Sequence, residues 1–212
     1  MAKDMNTIIT TRMCNPELYA KSSAFWPKDI PRLPIQGLNG WREAADYLWQ
    51  IIQLDADLVV NCDEDCFIFN WGVVEELMQH MRTLGIAYAG MPDYEPNCPH
   101  RHNSHKVHNP FFTVYDPRAI RGRLHKQPPV DVRLPDTRIH EPYNGLYQAM
   151  YHRLPHTSLE GRPHADGIST VLHSAGKPFA LHSWYGRCYT GTHRQRIDEI
   201  HTEALSRKVL TP

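Results

Sequence analysis

Net charge is the first thing this sequence lacks. Across 212 residues, 23 lysines and arginines balance 23 aspartates and glutamates, so with neutral histidines no whole-molecule field draws the chain to nucleic acid or an acidic membrane. A general nucleic-acid coat protein is thereby excluded. Long apolar runs are missing too. No stretch approaches the ~20 residues of a bilayer span, and the opening Met1-Ala2-Lys3-Asp4-Met5-Asn6 carries no hydrophobic region of a secretory signal. A cytoplasmic protein without a transmembrane segment is expected. Cysteine is scarce and unpaired: Cys14, Cys62, Cys66, Cys98 and Cys188 form an odd set of five with no CxxC, which argues against a disulfide framework or a cysteine-only zinc site. Internal repeats and low-complexity tracts are absent.

What is present suffices for a packed core. Hydrophobic residues make up 41% and charged residues 22%, and the length suits one α/β domain better than two independently cored ones. The neutral total hides an asymmetry. Residues 1–100 hold 7 basic and 14 acidic side chains, whereas residues 101–212 hold 16 and 9. Such a split suits a cleft whose acidic lip holds a divalent cation and whose basic lip holds phosphates bound to it; it equally suits two surfaces that pair on folding.

Periodicity then divides the chain. Residues 6–11 read as a strand and 16–26 as a helix. Trp41, Ala44, Ala45, Leu48, Trp49 and Ile52 follow the i, i+3, i+4, i+7 spacing of an amphipathic helix. Leu58-Val59-Val60 is an apolar run too short for a helix, as a strand covered on both faces requires. Val73, Val74, Leu77, Met78 and Met81 mark a second helix behind Asn70, and residues 86–90 the next strand. Residues 91–109, with Pro92, Pro96, Pro99 and four histidines, read as a long loop. Phe111 to Tyr115 is predicted as a strand, 116–142 as irregular, and Tyr143, Leu146, Tyr147, Met150, Tyr151 and Leu154 as a helix. Asp166 is expected to cap a short helix containing Ile168, Val171 and Leu172, with Gly176 after its end. A strand at 179–182 and a helix at about 195–209 close the chain. Strands alternating with helices predict a mainly parallel sheet flanked by helices, a Rossmann-like arrangement in one domain.

The sharpest chemical feature is Asp63-Glu64-Asp65 directly after a buried strand, because open α/β sheets bind ligands beyond the carboxyl ends of their strands. Three adjacent carboxylates repel one another unless a cation neutralises them, and hard oxygen donors select Mg²⁺, Mn²⁺ or Ca²⁺. In an extended segment Asp63 and Asp65 point to the same side and address one metal, or a metal and a ribose.

Leu38-Asn39-Gly40-Trp41-Arg42-Glu43-Ala44-Ala45, followed by Asp57-Leu58-Val59-Val60-Asn61-Cys62-Asp63-Glu64-Asp65, resembles the nucleotide-sugar-binding core of GT-A fold glycosyltransferases with a DxD motif. The resemblance extends through Asn109-Pro110-Phe111-Phe112, Asp166-Gly167 and His182-Ser183-Trp184-Tyr185, about residues 6–190. It implies one GT-A-like domain over 1–212, with a donor and metal half (1–90), an acceptor half (91–192) and a C-terminal helix (193–212). It further implies transfer of a sugar from a nucleotide-sugar donor to a carbohydrate or other hydroxyl acceptor, with Mn²⁺ or Mg²⁺ held by Asp63, Asp65 and His182.

In that resemblance Asp63 and Asp65 also meet the donor diphosphate, and Asp166 stands where inverting members keep a general base. Asn109, Trp184 and Tyr185 are expected at the substrate, the two rings against a sugar face. Arg187, Arg194 and Arg196 are expected to neutralise the leaving diphosphate. One departure is that only residues 8–58 precede the metal motif, which is short for this family's nucleotide-binding half.

Two other readings compete. His100, His102, His105 and His108 beside Cys98 suggest a zinc site, although HExxH and Cys2His2 patterns are absent. A nucleotidyltransferase of related fold would place a Gly-rich phosphate loop after the first strand, and Thr10-Thr11-Arg12-Met13-Cys14 is not one. A non-catalytic sugar-nucleotide-binding domain is the third possibility that the short N-terminal half leaves open.

Overall fold

A computed structural model describes residues 5–95, 97, 101–135 and 137–208. Its centre is the strand that the sequence marks most clearly. All five residues of β3 (Leu58–Cys62) are buried. The reason is that alternate side chains fill different cores: Leu58, Val60 and Cys62 enter one apolar cluster and Val59 enters another on the opposite face.

β3 lies inside a six-stranded sheet ordered β2 (Arg32–Ile35), β1 (Thr7–Arg12), β3, β6 (His108–Tyr115), β5 (Tyr88–Pro92), β7 (His156–Ser158). β1 pairs in parallel with β2 and β3, and β5 with β7. β6 alone runs antiparallel to its neighbours β3 and β5. The fold is α/β with a mixed sheet in which five strands share one direction. One face is covered by α2 (Glu43–Ile52), α4 (Pro117–Arg121) and α5 (Asn144–Tyr151). The other is covered by α1 (Pro16–Ser23), α3 (Trp71–Leu84) and α6 (Gly191–Arg207), together with a second sheet.

That second sheet is the main departure from the sequence reading. It is fully antiparallel and ordered β4 (Cys66–Ile68), β10 (Lys177–His182), β9 (Thr170–Ser174), β8 (Glu160–Pro163). The helix expected after Asp166 is therefore a strand. Ile168, Val171 and Leu172 share a helical spacing, but Thr170 and Val171 are β-branched, and pairing with β8 and β10 wins over that weak local stripe. Gly176 is not a helix terminator. With Ala175 at φ 49° and Gly176 at φ 76°, it makes the tight β9–β10 turn, in which both central residues adopt positive φ.

Smaller differences follow the same logic. Trp41 precedes α2 rather than joining its buried stripe, and stands 42% exposed. β5 and β6 reach further into residues 91–109 than expected, which shortens the loop. The last helix ends at Arg207; the expected end at Val209 and the rest of 209–212 lie outside the described residues. Among the described residues no helix is long and apolar enough to cross a membrane.

Candidate metal centre

The site forms where the chain leaves the first sheet for the second. β3 ends at Cys62 and β4 begins at Cys66, so Asp63-Glu64-Asp65 must reverse direction within three residues, and the Cys66 N–H closes a turn on the Asp63 carbonyl at 3.1 Å. Asp63 and Asp65 converge through this turn rather than by alternation along an extended segment. β4 then pairs with β10 in a register that sets His182 opposite Cys66. The imidazole so arrives beside Asp65, with Nε2 3.2 Å from Oδ1. Asp63, Asp65 and His182 each offer a ligand atom, and these atoms lie within 4.8 Å of one another.

His182 is held rigidly. Its ring stacks on Phe111 at 3.9 Å and 8°, with Trp184 on it at 4.3 Å. Its Nδ1 is buried without a hydrogen-bond partner. Asp65 is held as firmly: its carbonyl accepts from Ser183 N–H at 3.0 Å, and its Oδ2 accepts from Gly186 N–H at 2.9 Å. The backbone turns toward it through two successive non-glycine residues in the left-handed region, Trp184 (φ 59°) and Tyr185 (φ 64°). Such strain persists only where surrounding contacts enforce it. A Cβ on Gly186 would sit 2.9 Å from the Asp65 side chain, so this close approach requires glycine.

The electrostatics show a centre short of positive charge. Burial and the neighbouring Asp65 carboxylate push the Asp63 carboxyl up to about 6, against the pull of Arg12 and His182. Burial also opposes ionisation of Asp65, but His182, through charge and hydrogen bond, and the Gly186 N–H outweigh it and hold its carboxyl below the usual range. Glu64, pushed up to about 7 chiefly by burial, accepts from Cys14 and Asn15 N–H at 3.0 and 2.8 Å, tying the end of β1 to the acidic turn. Two carboxylates and an imidazole, one acid unable to ionise comfortably, suit a divalent cation of the Mn²⁺ or Mg²⁺ kind.

A cavity of about 360 Å³ opens on this centre at the carboxyl edge of the sheet. It gathers Arg12 from the end of β1, Asn109 from the start of β6, and Trp184, Tyr185 and Arg187 from the segment after β10. Arg12 Nη1 is buried with no partner. Of the expected substrate residues, Asn109 lines the cavity but spends its amide on Asp93 at 3.0 Å. Trp184 is buried in the wall, its indole N–H donated to Thr170 Oγ1 at 2.9 Å, whereas Tyr185 is 49% exposed.

Three expected residues lie outside the cavity. Asp166 sits in the β8–β9 turn, where its carboxylate accepts from Ile168 N–H, Ser169 N–H and Ser169 Oγ at 3.0, 2.7 and 2.6 Å. Burial acts to raise its pKa, but these donors prevail and hold it far below the usual carboxylate range, a poor proton acceptor. Arg196 bridges Asp166 to the Trp184 carbonyl, donating to it at 2.9 Å, and braces the strained segment from behind. Arg194 points to Glu17 at 2.5 Å and stacks on Tyr189.

Among the described residues the histidines of this loop are not gathered at one point: His102 stands near Glu95, His105 packs edge-on against Tyr94 and Tyr151, and His108 is core. Cys98 and His100 lie outside the described residues.

Sequence reasoning missed Arg101 and Glu141, which line the cavity from segments that carry no local signal. Arg101 makes a two-pronged bond to Asp93 (2.8 and 2.8 Å) and reaches Glu141 at 2.6 Å. No protein-family model matches this chain, and no curated protein matches it. Among solved structures, it is similar to the crystal structure of A197 from STIV, with a TM-score of 0.47 and 12% identity, over 81% of this chain and 87% of that one.

Proposed function

We propose that this chain is a metal-dependent glycosyltransferase of GT-A-like fold that takes a nucleotide-sugar donor and a hydroxyl acceptor. The observation that carries the reading is the convergence of Asp63, Asp65 and His182 beside a cavity that also holds Arg12 and Arg187. Cation ligands and guanidinium groups on one cavity are the equipment for a diphosphate, and the carboxyl edge of a largely parallel sheet is where such ligands bind.

In this reading Asp63, Asp65 and His182 hold the cation. When bound, Mn²⁺ or Mg²⁺ supplies electrostatic stabilisation of the charge that develops on the departing diphosphate. Arg12, whose Nη1 has no protein partner, and the exposed Arg187 take phosphate oxygens. Phe111 and Trp184 fix the imidazole plane, and Gly186 N–H fixes the Asp65 carboxylate, so the ligand set is organised before substrate arrives. The expectation of inversion rested on Asp166 and is not carried forward, because that carboxylate lies outside the cavity.

Thermal denaturation with UDP, GDP, ADP and CDP, each with and without Mn²⁺, tests the reading. One diphosphate together with Mn²⁺ raises the melting temperature of the wild type, by about 2.7 kcal/mol of stabilisation at a hundredfold excess over Kd. Asp65→Asn loses this response. An equal response to nucleotide with and without metal, or no response to any of the four, overturns the proposal.

A further inference from the structure

Two contacts of the metal centre hang on a stretch of backbone that side chains disfavour, the left-handed pair Trp184 and Tyr185. The Trp184 ring lies on the His182 imidazole, and the N–H of Gly186, the next residue after the pair, donates to Asp65 Oδ2. A turn of this kind keeps its shape only if groups outside it hold it there. The Trp184 indole is tied to Thr170 on β9, and its backbone carbonyl accepts from Arg196 Nη2 at 2.9 Å.

Arg196 differs from the other arginines of α6. Arg194 and Arg207 are exposed and pair with Glu17 and Glu203, whereas the Arg196 side chain is 14% exposed and reaches inward. Its second nitrogen, Nη1, donates to Ser169 Oγ at 2.9 Å and lies 3.4 Å from Asp166 Oδ2; Ser169 Oγ in turn donates to that same carboxylate oxygen at 2.6 Å. Two turns further along α6, Glu203 lies 3.0 Å from His164 Nε2. The helix is thus fastened to the β8–β9 turn at two points, and from the first of them a guanidinium spans to the strained segment. Held between a carboxylate and a carbonyl, that planar cation fixes direction as well as distance. Without it Trp184 and Tyr185 are free to relax toward ordinary backbone, which takes Gly186 away from Asp65 and the indole away from His182.

We propose that Arg196 is a positioning residue for the cation site, anchored by Asp166 and Ser169 and acting on Asp65 and His182 through the turn at Trp184 to Gly186. It touches neither ligand itself. The inference rests on the metal centre of the reading above and not on sugar transfer, and it gives Asp166 the part of an anchor.

The test compares two quantities. Mn²⁺ titration followed by the EPR signal of the free ion reads the affinity, and urea denaturation of the metal-free protein reads the stability. Arg196→Met weakens Mn²⁺ binding about tenfold or more and Ser169→Ala about threefold, while Arg196→Lys, which keeps a charged donor near the carbonyl, loses less than about twofold. Arg121→Met is the control. Arg121 likewise donates to two backbone carbonyls, those of Ile52 and Leu54 at 2.7 and 2.8 Å, but on the opposite face of the sheet, so this variant loses stability and keeps the wild-type affinity. Hydrogen exchange reports the turn directly: amides of residues 183–189 exchange faster in Arg196→Met while those of β3 and β6 do not. Unchanged Mn²⁺ affinity in Arg196→Met, or an equal loss in Arg121→Met, overturns the proposal. If Arg196→Met does not fold, Ser169→Ala decides, and an unchanged affinity there overturns it too. A wild type that binds no Mn²⁺ removes the metal centre and this inference with it. Mn²⁺ binding without a response to any nucleoside diphosphate overturns the glycosyltransferase reading and leaves the positioning role standing.

Discussion

Two acidic centres, one lining the cavity and one just behind its wall residues Arg101 and Asn109, are built in opposite ways. Asp93 is fully buried and fully paired: Arg101 grips both its oxygens, and the amides of Asn103 and Asn109 donate to it at 3.1 and 3.0 Å. The imidazole of His182 and the Gly186 N–H both go to Asp65, and Asp63 beside it is pushed up to about 6. A buried carboxylate with every lone pair satisfied organises the fold. A pair left short of positive charge is the arrangement that the proposed cation would neutralise.

The sharpest way to break the comparison is to remove the counter-charge from the satisfied centre. Arg101→Leu leaves Asp93 ionised, buried and unpaired, and urea denaturation is expected to show a loss of roughly 3–5 kcal/mol. A loss under 1 kcal/mol would mean that the Asp93 network is not structural.

A second measurement separates an unsatisfied group that awaits a ligand from one that is merely core. Neither ring nitrogen of His108 has a partner, and burial, helped by His156, pushes its pKa down to about 3. The folded pKa lies below the unfolded value near 6.5, so the unfolded chain binds the extra proton first. Stability is full above about pH 6.5 and falls as pH drops toward 3, by up to about 1.4 kcal/mol per pH unit. In His108→Phe, which keeps the ring contacts with Tyr88 and Tyr147, this part of the acid sensitivity disappears. Denaturation midpoints at pH 7 and pH 5 check it; an unchanged slope between them would count against the buried neutral histidine.

The smallest effect has the opposite sign. Asp63→Asn removes a like charge within 4.8 Å of Asp65, so without metal the variant is expected to be more stable than the wild type by roughly 1 kcal/mol, the repulsion in a water-like medium. Mn²⁺ should then stabilise it less than the wild type. Destabilisation of the metal-free variant would place Asp63 with Asp93 among the structural acids.

Part of this was legible in the chain. β3 shows itself as an apolar run, and Asp63-Glu64-Asp65 as the acidic cluster at its end, because burial on both faces and ligand binding at a strand's carboxyl edge are local signals. α3 and most of α2 follow their stripes. Asp166 misled because Asp-Gly before a mixed apolar stretch fits both a helix cap and a hairpin turn, and the choice is made by pairing with β8 and β10. Arg101 and Glu141 had no local signal, since each takes its meaning from a partner on another segment.

His182 marks the boundary most clearly. Residue chemistry alone showed an acidic turn behind a buried strand and 14 imidazoles, and only the resemblance singled out His182 among them. Tertiary structure supplies the physical reason that it lies there: the β4–β10 register sets His182 opposite Cys66 across more than a hundred residues, and the left-handed turn at Trp184 and Tyr185 brings Gly186 onto Asp65. Side-chain periodicity reports only the faces of one element, whereas a ligand set is a distance between elements, and that distance exists only once the strands have paired.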